Sequence, residues 1–139
     1  MSPPSLRRAA LALALLVAAC GAPTGPSPAE VAGVYRLQAV NERAVPDTAA
    51  VTGFGTLAGM VALRANGGAE RSITYRDARG MLVPLAAVGS FELRGGAVEL
   101  KLRETDQTWR VRGEIVGGVL TLRYPNPADG EIVERYRRE

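Results

Sequence analysis

Few side chains in this 139-residue sequence could do chemistry, and two absences narrow the choice further. There is one cysteine, Cys20, and no histidine. A disulfide within the chain is therefore excluded, as are the usual zinc, copper and haem sites, which are built on imidazole or thiolate. A Ser-His-Asp or Cys-His nucleophile is unavailable for the same reason. Oxygen ligands and carboxylates remain. Asn126, Asp129 and Glu131 could offer oxygens to calcium, but their spacing matches no EF-hand loop and a solvated turn is the better reading. Glu92, Glu99 and Glu114 invite comparison with paired-carboxylate hydrolases, whose chemistry needs two pKa values pushed apart by different surroundings. Arg135, Arg137 and Arg138, interleaved with Glu134 and Glu139, read as a solvated basic terminus. No catalytic residue, metal or cofactor is expected, and the protein reads as a non-enzyme. Two features are left: the thiol of Cys20, and an aromatic set (Tyr75, Phe91, Trp109 and Tyr124) suited to lining a small apolar pocket.

The elements that must position those aromatics are strands. From Val31 onward, short alternating segments are broken by glycine pairs, and no helical period survives for more than a turn, as in a β-meander. The first strand, Val34 to Val40, sets Tyr35, Leu37 and Ala39 on one face and Arg36 and Gln38 on the other. A turn over Asn41 to Pro46 and a looser connection from Asp47 to Gly55 lead to a strand from about Thr56 to Arg64. Asn66-Gly67-Gly68 then returns the chain into Glu70 to Arg76, which carries Ile73 and Tyr75.

In the second half the register can be read from the turn centres, because each side-chain face must stay consistent around a sheet. A hairpin centred on Gly95-Gly96 pairs Leu93 with Val98 and Phe91 with Leu100. One centred on Thr105-Asp106 pairs Leu102 with Trp109 and Leu100 with Val111. A third, on Gly117-Gly118, pairs Ile115 with Leu120 and Val111 with Tyr124. All three put the same apolar residues on one face. The opposite face then carries Glu92, Arg94, Glu99, Lys101, Arg103, Arg110, Arg112, Glu114 and Arg123, with Glu99 opposite Arg112. Carboxylates placed beside arginines on a wet face do not suit acid–base work.

A last strand, from Glu131 to about Arg138, has ambiguous parity: Ile132 and Tyr136 share a face with Glu134, while Val133 sits among arginines. The expected fold is all-β, an antiparallel up-and-down barrel of about eight strands, closed because closure removes exposed edges. A barrel of that size is either filled by its own side chains or holds one small ligand. Gly89 and Gly113 fall on the inner face, where they would leave space beside Trp109 or let the sheet bend.

The amino terminus has a different texture. Arg7 and Arg8 precede an unbroken apolar run from Ala9 to Ala19. That run is far shorter than the roughly 20 residues a membrane span needs, so it reads as the core of a cleaved export signal. Leu16-Val17-Ala18-Ala19-Cys20 resembles the lipobox of bacterial lipoproteins. The resemblance implies a signal peptide over residues 1–19, cleavage before Cys20, and acylation of its thiol. With two or more acyl chains such an anchor is stable. The protein would sit on the outer side of the cytoplasmic membrane, or on the outer membrane of a two-membrane cell, since Gly21 is not the aspartate associated with inner-membrane retention. Residues 20–30, with Pro23, Pro26 and Pro28, then read as an extended tether reaching up to ~30 Å. Without Arg7 and Arg8, fifteen basic side chains face fourteen acidic ones, too small an excess to imply nucleic acid.

Residues 31–139 resemble the small lipocalin-like lipoproteins of bacteria. The likeness rests on Gly33-Val34-Tyr35-Arg36-Leu37 followed by Val40-Asn41-Glu42-Arg43-Ala44-Val45-Pro46. Tyr35 stands where true lipocalins carry tryptophan, and Glu42 stands where the family often has glycine, which points away from a tight first turn. The resemblance implies a monomeric, membrane-anchored β-barrel that binds a small hydrophobic ligand at the cell envelope. The alternative is a protein-interaction module, an inhibitor or assembly accessory, built on a self-filled barrel.

Overall fold

A computed structural model describes residues 25–47, 55–127 and 130–139. The lipobox and Cys20 lie outside the described residues. A short helix, α1 (Pro28–Val31), is followed by β1 (Gly33–Val40), β2 (Arg43–Ala44), β3 (Gly55–Leu63), β4 (Gly68–Arg76) and β5 (Leu82–Arg94). The chain continues through β6 (Ala97–Glu104), β7 (Gln107–Val116), β8 (Val119–Asn126) and β9 (Gly130–Arg138). Every ladder is antiparallel, and β1 pairs with both β3 and β9. Eight strands therefore close into an up-and-down barrel, with β2 as a short extra strand beside β1.

The predicted registers are found in the structure. Leu93 pairs with Val98 and Phe91 with Leu100; Leu102 pairs with Trp109, Leu100 with Val111, and Ile115 with Leu120. Glu99 lies opposite Arg112 and bridges to both Arg110 and Arg112 on the outer wall. One pairing differs. The β7–β8 ladder runs only from Arg112↔Arg123 to Val116↔Val119, so Val111 and Tyr124 fall just beyond it. There the rings of Trp109 and Tyr124 meet edge to face, 6.0 Å apart.

Two further differences have physical reasons. Asn41 and Glu42 both adopt left-handed backbone, and Val40 pairs directly with Arg43, so the first turn is a tight two-residue hairpin despite Glu42. Asn41 compensates: its amide donates to Val133 O and its Oδ1 accepts from Val133 N, fixing the hairpin to β9. Gly89 and Gly113 leave no space beside Trp109. A Cβ on Gly89 would lie 1.9 Å from Lys101 O, and one on Gly113 2.1 Å from Thr121 O. The neighbouring backbone fills the place of the missing side chain, which lets the sheet bend sharply into a barrel.

The two ends of the barrel are unlike. The base carries the short turns β3–β4, β5–β6 and β7–β8, and α1 lies against it. Pro28 begins α1, and the Glu30 carboxylate accepts from the Ser27 amide and hydroxyl, so the helix starts where its capping residues stand. Val31 is buried, the Tyr35 hydroxyl donates to Val31 O at 2.6 Å, and Arg138 donates to the carbonyls of Glu30 and Ala32. The expected tether is thus docked on the barrel by Pro28. Above this stopper lies a packed apolar core that includes Leu37, Val61, Phe91, Leu100, Val111 and Leu122. The other end, the mouth, is ringed by the β1–β2 hairpin, the β4–β5, β6–β7 and β8–β9 connections, and the start of β3.

Candidate functional site

The interior toward the mouth is built around two charges. Arg71 on β4 shares its inward face with Ala69 and Ile73, and Glu134 on β9 shares its own with Ile132 and Tyr136. Both charged side chains are buried, at 7 % and 1 % exposure. Space for the long Arg71 side chain comes from small neighbours: Arg71 sits between Val61 on β3 and Ala87 on β5. It reaches the first and last strands' side of the barrel as a forked pair with Glu134, Nη2 to Oε1 at 2.5 Å and Nε to Oε2 at 3.3 Å. Two phenols complete the cluster. Tyr124 donates to Glu134 Oε1 and Tyr136 to Oε2, each at 2.6 Å.

The guanidinium also lies against rings. Its Cζ is 5.3 Å from the Trp109 centroid and 5.9 Å from that of Tyr124, within cation–π range. Burial opposes the charge on Arg71, but the adjacent Glu134 carboxylate outweighs that and holds its pKa above the ordinary arginine value. Burial, reinforced by the negative charge of Glu134, pushes the Tyr124 and Tyr136 hydroxyls well above the usual tyrosine range. Chemically this is a neutralised, fully donated-to carboxylate, held still by donors from three strands. It is suited to rigidity and to giving the mouth a polar floor.

At the mouth, a half-open cleft of about 530 Å³ lies between the β1–β2 hairpin and the start of β3. Its apolar lining comes from Val40, Val45, Tyr75 and Ile132, and its polar lining from Asn41, Arg43, Asp47 and Thr56. Of the residues proposed from sequence, Tyr75 lines the cleft, and Trp109 and Tyr124 touch each other beside Arg71. Tyr124 pairs with Ile132 of the cleft wall, which links the two groups. Phe91 belongs to the packed floor, paired with Leu100 one pleat below Gly89↔Leu102.

Sequence reasoning missed Arg71 and set Glu134 in a solvated terminus, which its burial against Arg71 corrects. The signal was present: one basic and one acidic residue at inward parity, on strands whose other inward residues are apolar. Among the described residues no group of acidic side chains is placed to hold a metal ion, and no helix is long and apolar enough to cross a membrane. Comparison with protein-family models, curated proteins and solved structures gives no match for this chain.

Proposed function

We propose that the protein is a lipid-anchored, non-catalytic envelope lipoprotein whose lipocalin-like barrel takes a small hydrophobic molecule at its mouth. The observation that carries this reading is the cleft lined by Val40, Val45, Tyr75 and Ile132. Its volume of about 530 Å³ falls in the ~300–1,000 Å³ range of small-molecule sites, and its few polar groups would orient a ligand. The stoppered base and packed floor support entry from the mouth alone. Anchoring rests on Cys20 and the run before it. A catalytic role has less support, because Glu99 is paired with two arginines and Glu134 is saturated by donors.

The single tryptophan gives the test. Titration with a panel of fatty acids, phospholipids and apolar small molecules should produce a saturable change in Trp109 emission for at least one class. A flat response to the whole panel refutes ligand binding. It would favour the second reading, a protein-interaction module, for which Met81, Leu82 and Val88 offer exposed apolar side chains. Anchoring is tested separately: Cys20→Ser should leave the membrane fraction, and a variant that still pellets refutes it.

A further inference from the structure

We infer that the barrel stands base-down on its membrane, with its mouth facing away from the bilayer that anchors it. The inference rests on the proposed acylation of Cys20 and adds the orientation of the site. Gly25 lies against the β5–β6 turn at the base, where its Cβ position is 3.0 Å from Gly95 Cα. From there the chain is held to the base through α1, Val31 and Arg138. Cys20 lies five steps along the chain from Gly25, and a fully extended chain of that length spans at most about 18 Å. The barrel is itself roughly 20 Å tall, from strands of eight to ten residues tilted to the axis. A leash leaving the base and no longer than the barrel's own height keeps the base at the headgroups.

The base suits a lipid surface. Its turns are low and glycine-rich, and Val116 stands 67 % exposed beside Gly117-Gly118. Arg64 is paired with Glu70, Arg94 with Glu92 and Arg36 with Glu139, so these charges around the base cancel in pairs, and Arg137 and Arg138 beside them add positive charge that meets headgroup phosphates without repulsion. A shallow groove of about 370 Å³ beside Val116, lined by Arg112, Glu114 and Arg123, adds no net positive charge to this face, since Arg112 is paired with Glu99 and Arg123 with Glu131. The cleft at Tyr75 and Ile132, at the far end, then opens to the aqueous side. Its ligand is delivered from that side, by a soluble carrier or an opposing membrane, and is not drawn from the anchoring bilayer.

The test uses the full chain, expressed so that it is lipidated, and reconstituted in phosphatidylethanolamine–phosphatidylglycerol vesicles doped with a nitroxide-headgroup lipid. A fluorophore is placed at the base by Ala65→Cys or at the mouth by Arg79→Cys. Quenching at position 65 should exceed that at 79 by at least about threefold, because quenching needs near contact and the ends stand roughly 20 Å apart. Equal quenching, or more at 79, overturns the orientation while Cys20-dependent pelleting continues to support the anchor. Pelleting that persists in Cys20→Ser overturns the anchor, and the orientation with it.

Discussion

Arg71 and Glu134 carry large single-residue consequences. Removing one partner of a buried ion pair leaves the other charge without compensation, which costs about 3–5 kcal/mol. Glu134→Leu should therefore lower stability by that amount, read from the midpoint of urea unfolding. Combining it with Arg71→Met should recover most of the loss, since apolar replacement of a whole buried pair is often neutral. A double variant no more stable than Glu134→Leu would mean that the pair contributes through geometry that hydrophobic packing cannot replace. Tyr124 and Tyr136 would lose their acceptor in either variant, so their hydroxyls set a floor on the recovery.

The strands were legible because their alternation is strict where it matters. From Phe91 to Leu122 each inward apolar residue is buried or partly buried, and each outward charge is exposed or paired. Trp109 packs against the core while Arg110 is exposed, as that alternation requires. The last strand resisted the same logic for a physical reason. Inward parity singles out Glu134, but its burial depends on Arg71, 63 residues away, and no local pattern says which residue is its partner. The mouth was hidden similarly, since the cleft gathers residues from β1, β2, β3, β4 and β9. Gly113 deserved a bend, and the missing Cβ measures how sharp it is. Gly113→Ala should cost about 3 kcal/mol or fail to fold, because the intruding atom meets backbone that cannot rotate away. Gly95→Ala, with nothing within 4 Å, serves as the control for lost glycine at a turn, to be compared by thermal unfolding.

For the whole molecule, alkaline pH reports on how tightly the interior is closed. The folded state holds the Tyr124 and Tyr136 protons more strongly than the unfolded chain, in which a tyrosine titrates near 10. Stability should therefore be level with respect to these groups below about pH 10 and fall as pH rises past it, because unfolding releases their protons. Phenolate absorbance from the buried rings should appear together with loss of structure; smooth titration of all tyrosines in a folded protein would contradict their burial. The seam between β1 and β9 has a different consequence. A ring whose last stave lies beside its first cannot be finished until β9 has been made. A chain cut short before β9 leaves two raw edges, on β1 and β8, and Arg71 without Glu134. Such a fragment should be recognised and destroyed by quality-control proteases, so that only molecules with a closed ring accumulate.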